Sequence, residues 1–342
     1  MHFVVIAVMS FVIARLSASI GVRLGLVDHP DARKRHSGVI ALTGGIFIFL
    51  TILLGELTLG IKPYTSQMMV IATAIFLVGV FDDFRHIHAG LRLLIQYGAG
   101  VLLATYGGIA IDNVGNLLAF GDIHLLLLTI PLTALSVAGL SNAYNMIDGI
   151  DGLAASTIAL PLLALYLLAL GSNHPEAEFL LLMMIPLGVF LIFNLGPNNR
   201  LIPKVFLGDG GSITLGFLVT ASLVYFSQGE DAIIKPVTAL WLVTVPLMDM
   251  LATMLRRYRA GRKMMEADRS HLHHTLMDIG LSPRQTLLAL VAYAIVGIAA
   301  GLALEALPAY ASLAAYFLLF GLHCYFVIRA KGWMKDPSTE SC

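Results

Sequence analysis

Apolar runs of about 20 residues, parted by short polar stretches, repeat along the whole chain. A helix rising ~1.5 Å per residue needs about that length to cross ~30 Å of hydrocarbon, so each run predicts a transmembrane helix. About eleven can be read, over 2–24, 40–60, 67–82, 91–108, 123–141, 153–171, 177–195, 212–228, 236–255, 285–304 and 308–328. The runs are continuous rather than alternating, which predicts helices and not the strands of a barrel. Composition agrees, at 58% hydrophobic and 12% charged residues, with a mean hydropathy of +0.85. The fold class expected is therefore all-α and integral to the membrane, a polytopic bundle of about eleven transmembrane helices. No composition shift marks a boundary, so residues 1–342 read as a single domain.

Charge changes the picture through its placement. Lys and Arg number 21, as do Asp and Glu, and a net charge of zero removes the electrostatic case for a nucleic-acid partner. If the spans alternate sides, Arg33, Lys34, Arg35, Arg85, Arg92, Arg200, Lys204, the basic stretch from Arg256 to Lys263, Arg269 and Arg284 all share one side. The positive-inside rule makes that side the cytoplasm. The opposite loops hold Lys62 and Lys235 beside Asp112, Asp122, Glu176, Glu178, Glu230 and Asp231. An odd number of spans then puts the N-terminus outside and the C-terminus inside. Cys324 and Cys342 make no disulfide framework. The first run has neither a basic n-region nor an A-x-A site and reads as a retained helix.

Five inner loops, 25–45, 80–92, 139–155, 194–213 and 256–284, carry nearly every acidic or amide cluster, so function is expected to face the cytoplasm. Asp82 and Asp83 end the third run side by side. Adjacent carboxylates at a membrane edge suit a magnesium or phosphate-handling site; the alternative is a solvated helix end beside Arg85. Asn142, Asn145, Asp148 and Asp151 follow at three-residue spacing. An α-helix lags ~60° per three-residue step, so all four cannot share one face unless the segment breaks at Gly149 or Gly152. Amides and carboxylates together suit recognition of a base, ribose or sugar. Asp209 precedes Gly210, Gly211 and Ser212 where a helix N-terminus would offer N–H groups to phosphate, and it is the first choice as a direct metal ligand. Phe206 would stack on a nucleobase or simply anchor the membrane edge. His271, His273 and His274 lie among Lys and Arg, which fits an anionic diphosphate better than zinc. In the first inner loop Lys34 and His36, with Arg33 and Arg35, would grip phosphate or serve only as positive-inside anchors.

This inventory calls for an anionic cytosolic substrate, a divalent cation and a substrate that stays in the bilayer, which a membrane phosphotransferase unites. A transporter is the rival class, but the acidic residues fall at span ends rather than at mid-depth. The CDP-alcohol phosphotransferase pattern fails at Ser156, where it requires arginine, and the D-x-x-x-D repeats of aromatic prenyltransferases are absent.

The loop with K-R-H and Gly44-Gly45, the Asp82-Asp83 pair, N-x-x-N-x-x-D-G-x-D-G-L-A, V-F-x-G-D-x-G-S and D-R-S-H-L-H-H occur in one order along almost the whole chain. In this the chain resembles the polyprenyl-phosphate N-acetylhexosamine-1-phosphate transferases, and its histidine motif is similar to that of the undecaprenyl-phosphate GlcNAc-1-phosphate branch. The MurNAc-pentapeptide branch instead shows three consecutive histidines. Ala41 stands where proline is common and Leu207 where methionine is usual, which leaves the geometry of the first inner loop open.

The resemblance implies transfer of GlcNAc-1-phosphate from UDP-GlcNAc to undecaprenyl phosphate, with release of UMP, as the initiating step of a lipid-linked cell-envelope glycan of O-antigen, enterobacterial common antigen or teichoic acid type. It implies Mg²⁺, or Mn²⁺ in its place, a bacterial inner-membrane location and a homodimer. Another UDP-N-acetylhexosamine or UDP-MurNAc-pentapeptide is the alternative donor. Asp209 and Asp148 would hold the metal, with Asp82 a base toward the lipid phosphate and Asp83 its support. Asn142, Asn145, Asp148 and Asp151 would hold the nucleotide or metal shell, Phe206 the uracil, and the three histidines the diphosphate or sugar.

Overall fold

A computed structural model describes residues 2–29, 38–262 and 271–330. Lys34 and His36 lie outside the described residues. Each apolar run coincides with helix: α1 (His2–Leu24), α2 (Gly44–Leu59), α3 (Ser66–Arg85), α4 (Ala89–Thr105), α5 (Thr129–Ile147), α6 (Leu153–Gly171), α7 (Ala177–Leu195), α8 (Gly208–Ser227), the pair α9 (Pro236–Leu242) and α10 (Thr244–Arg259), α12 (Pro283–Ala303) and α13 (Ala309–Ala330). A short helix, α11 (Leu272–Asp278), carries the histidine motif. The sheet is a two-residue antiparallel pairing of β1 (Val27–Asp28) with β2 (Ile40–Ala41). The all-α membrane fold is thus as the apolar pattern predicts.

The count of eleven spans is not established. Among the described residues eight helical stretches are long and apolar enough to cross a membrane, or nine if α9 and α10 are one span. α2 and α4 are apolar but only 16 and 17 residues long. The run expected to be continuous over 236–255 is bent by 83° between α9 and α10. Pro246 accounts for it physically: it has no N–H for the Leu242 carbonyl one turn back, and its ring crowds that carbonyl. Proline alone is no reliable sign, since Pro161 and Pro186 sit inside unbroken α6 and α7.

Lipid is as apolar as leucine, so helices in a bilayer associate through close packing of small residues rather than by expelling water. α8 is the hub on those terms: 94% of its spanning window is buried, against 22% for α12 and α13 at the periphery. A Cβ on Gly45 would lie 2.3 Å from Gly211 Cα, and one on Gly216 would lie 2.6 Å from Ser141 Cα, so α2 and α5 meet α8 backbone to backbone. This packing brings the ends of α3, α5 and α8 to one place.

Candidate active site

Successive helical residues point ~100° apart, so Asp82 and Asp83 leave α3 in different directions. Asp83 reaches α8, where Oδ1 accepts the Asp209 N–H at 2.7 Å and Oδ2 the Gly210 N–H at 3.0 Å. It caps a helix N-terminus from a neighbouring helix, where open N–H groups and the dipole favour an anion. Hydrogen bonds to a charged group contribute ~1.5–3 kcal/mol each. Two N–H groups expected to meet phosphate are therefore already taken by protein. Asp82 turns inward and is 2% exposed. Its Oδ2 lies 2.9 Å from Arg92 Nη1 and its Oδ1 accepts the Ile87 N–H at 2.5 Å. The same Arg92 nitrogen is 3.1 Å from Asp209 Oδ2. Arg92 thus holds Asp82 and Asp209 together, a role invisible in a sequence where it reads as one inner cation among many. With both oxygens engaged and the side chain buried, Asp82 braces Arg92 and the Ile87 backbone in this structure.

Asn145, on the last turn of α5, donates to Asp209 Oδ1 at 2.6 Å and to Ser212 Oγ at 3.0 Å. Asn142, one turn earlier, has its amide nitrogen 3.1 Å from Met146 Sδ. α5 stops at Ile147 with Asp148 as its C-cap, and Gly152, at φ +77°, starts α6 in the left-handed region that glycine adopts without strain. The expected break is therefore present, and it separates Asp148 and Asp151 from the helical asparagines. Asp148 is exposed. The surrounding protein, and then the carboxylates of Asp209, Asp83 and Asp151, push its pKa up to about 7. Water at its exposed side weakens the first cause, leaving the crowd of carboxylates as the durable one.

Asp151 pairs with Lys204, whose Nζ lies 5.7 Å from the centre of the Phe206 ring. Asn194 joins the two segments behind them, accepting the Gly152 N–H at 2.6 Å and donating to the Val205 carbonyl at 2.9 Å. Gly44 and Gly45 donate to the carbonyls of Phe206 and Leu207 at 2.8 and 2.9 Å, so this glycine pair supports the segment rather than gripping phosphate. Ala41, in place of proline, keeps the loop tied by accepting the Phe206 N–H at 2.9 Å.

Across from these groups stand the histidines. His271 and His273 are buried, His274 is half-buried, and ring centres are 5.8 Å apart for the first pair and 4.2 Å for the second. His273 packs on the α5–α6 turn so closely that a Cβ on Gly149 would lie 2.3 Å from its Nε2. His271 Nδ1 is 2.9 Å from Asp249 Oδ2. Asp249 was missed by sequence reasoning, although an isolated carboxylate in an apolar run was the available signal.

One cavity of about 1240 Å³ lies between Arg92 and the α5 asparagines on one side and the histidines on the other. It exceeds the ~300–1,000 Å³ usual for a small-molecule pocket. Arg92, Asn142, Asn145, Gly149, Arg257 and the three histidines line its polar end. Leu94, Leu135, Val224, Leu247, Met250 and Met254 line its body, and Ile111, Val114, Leu117 and Gln228 its far end, at the other terminus of α8. Asp209 stands just beyond the polar end, bonded to both Arg92 and Asn145.

Both oxygens of Asp82, Asp83 and Asp209 are engaged by protein groups, so a hard cation at Asp209 would share its oxygens with Arg92 and Asn145, while Asp148 stands exposed within electrostatic reach of Asp209. Among the described residues no three Asp, Glu, His or Cys side chains form a metal site by themselves. Mg²⁺ characteristically takes one or two carboxylates and completes its shell with water and substrate phosphate. The donor set fits that pattern, and repulsion among the carboxylates is what a divalent ion would relieve.

A polar end of arginines, amides and histidines, with the carboxylate cluster just beyond it, opens into a long apolar groove, the layout of a multi-pass membrane transferase. The chain belongs to glycosyl transferase family 4, whose model matches residues 65–227. It is similar to the undecaprenyl-phosphate alpha-N-acetylglucosaminyl 1-phosphate transferase of Yersinia pestis, 33% identical over 323 residues, covering 92% of this chain and 87% of that one. The Escherichia coli (strain K12) protein of the same name is 33% identical over 316 residues, 90% of this chain and 85% of its own. A probable undecaprenyl-phosphate N-acetylglucosaminyl 1-phosphate transferase of Bacillus subtilis (strain 168) is 29% identical over 321 residues, 93% and 88% of the two chains.

Proposed function

We propose that this protein transfers GlcNAc-1-phosphate from UDP-GlcNAc to undecaprenyl phosphate, forming undecaprenyl-diphosphate-GlcNAc and UMP, with the polar end of the cavity at the cytoplasmic face of a bacterial inner membrane. The observation that carries this reading is the single cavity running from Arg92, Asn145 and the histidines to Gln228 along α8, next to names shared by relatives over nine-tenths of the chain. An isoprenoid fits the apolar body, and its phosphate then lies among cations at the polar end.

In this scheme a phosphate oxygen of the lipid attacks the β-phosphorus of the donor, and the bond from that phosphorus to the oxygen bridging it to the α-phosphate breaks as UMP leaves. A phosphate monoester with a second pKa near ~6 is largely dianionic at neutral pH, so no protein base is required. The obstacle is repulsion between anions, which Arg92, Arg257 and the histidines offset along the cavity wall. Mg²⁺ held by Asp209 and Asp148 would supply further charge neutralisation at the diphosphate. Asn145 fixes the Asp209 carboxylate, Asp83 fixes the backbone on which it sits, and Lys204 with Phe206 offers a cation and a ring face to the nucleotide.

The test is incubation of purified protein with undecaprenyl phosphate, Mg²⁺ and, separately, UDP-GlcNAc, UDP-GalNAc or UDP-MurNAc-pentapeptide. Lipid-dependent UMP release with UDP-GlcNAc alone is expected. Release with another donor reassigns the sugar, and silence with all three from folded protein contradicts the chemistry.

A further inference from the structure

Asp249 is a carboxylate in a membrane helix that the transfer scheme has not used. It is 2% exposed. Burying a charge in this setting is costly unless partners satisfy it. Its partners all lie in one turn: Oδ2 is 2.9 Å from His271 Nδ1, and Oδ1 accepts the Leu272 N–H at 2.7 Å. The carboxylate therefore grips both the side chain of the first motif histidine and the backbone where α11 begins. Because α10 follows the 83° break, this grip ties the histidine motif to the helix that the break redirects.

We infer that Asp249 is a positioning residue for the transfer reaction, fixing which nitrogen of His271 faces the cavity. The inference rests on the phosphotransfer reading of that cavity. An ionised carboxylate only accepts hydrogen bonds, so the proton between the two groups sits on Nδ1; Nε2 is the nitrogen left for the cavity that His271 lines, and it donates to an anion there when the ring carries both protons. A small rotation of the ring would move Nε2 off the anion it meets, and the hydrogen bond to Leu272 holds the ring's own backbone against that rotation. His273 and His274 follow on the same helix, so the seat of α11 sets their presentation as well.

Asp249→Asn separates orientation from seating. The amide oxygen still accepts the Leu272 N–H, while the NH₂ group donates to an unprotonated Nδ1, so the ring keeps a proton on Nε2 alone and loses the cationic form that offsets an anion. The measurement is steady-state UMP release by full-length protein with UDP-GlcNAc and undecaprenyl phosphate, beside thermal unfolding, for the unsubstituted protein, D249N, D249E, H271A and D249N/H271A. Loss of the group that orients a functional histidine lowers activity on the order of 10–100-fold. We expect that loss in kcat for D249N, with little change in the KM for UDP-GlcNAc. Asp249→Glu, which keeps the carboxylate, should retain more activity than Asp249→Asn. Adding Asp249→Asn to His271→Ala should change kcat by less than about twofold, because residues acting through one another are not additive. Losses that multiply in the double variant, a Glu variant less active than Asn, or wild-type kcat in D249N would each overturn the role while leaving the transfer reading intact. Failure of the unsubstituted protein to release UMP would overturn both.

Discussion

The two polar flanks of the site are built on opposite plans. On the carboxylate side the groups brace one another: Asp83 holds the start of α8, Arg92 spans Asp82 and Asp209, and Asn145 reaches both Asp209 and Ser212. On the histidine side one buried carboxylate, Asp249, takes up both a side chain and a backbone N–H, and contact with the first wall runs through His273 against Gly149. The difference teaches that the first wall presents fixed charge, whereas the second is a short helix seated by Asp249 and by the burial of Leu272 and Leu276. Damage to the first should therefore remove chemistry, and damage to the second should misalign it.

The largest effect is expected at Asp209. Asp209→Asn keeps the shape and the oxygen that accepts from Asn145 but turns an NH₂ toward Arg92 and removes the negative charge that would hold Mg²⁺ at the diphosphate, and loss of one electrostatic group at a reacting centre costs ~10²–10³ in kcat. UMP release in excess Mg²⁺, with thermal unfolding beside it, measures this; near-normal turnover would break the idea that the first wall supplies charge. Gly149→Ala addresses the joint between the walls. A Cβ there would meet His273 Nε2 at 2.3 Å and must displace a buried ring. Activity should fall about tenfold or more while the melting temperature shifts by a few degrees, given ~1–3 kcal/mol for overpacking. Equal activity would show that the histidine wall need not abut the α5–α6 turn. Phe206→Ala should raise the KM for UDP-GlcNAc about five- to tenfold, within the ~1–3 kcal/mol of base–aromatic stacking, and leave saturated turnover nearly unchanged.

The smallest effect is a pH dependence. With its pKa raised to about 7, Asp148 holds a proton in the folded protein at pH values where the unfolded chain has already lost it. Its contribution to stability is thus present below the ordinary carboxylate pKa of ~3.9 and is lost as pH rises through 7. A cation needs the ionised form, so Mg²⁺ affinity should rise with pH up to about 7 and then level. Titration calorimetry with Mg²⁺ at several pH values checks this, and Asp148→Asn should flatten the slope.

Much of this site is legible in the chain, for reasons that differ by residue. Helices announce themselves because each must carry its own apolar length, so the ends of α1, α6 and α7 are read to the residue. Asp209, Asn145 and Asp148 are legible because amides and carboxylates at a membrane edge are costly without a task. Arg92 and Lys204 are not, since a cation that reaches a carboxylate far away in sequence looks the same as one that anchors a loop. Asp249 hides in an apolar run, where its partner is set by the bend after α9 and not by spacing. The separate fates of Asp82 and Asp83 follow from the neighbouring α4 and α8, which no local pattern reveals.

The central claim is that a phosphorus–oxygen bond breaks on the nucleotide side of the donor's β-phosphate. Its most direct test uses UDP-GlcNAc labelled at the β-phosphorus with ³²P and undecaprenyl phosphate in the presence of Mg²⁺. Label extracted with the lipid, alongside unlabelled UMP, is the predicted result; label released as UDP would mean that the sugar alone is transferred and would contradict the account.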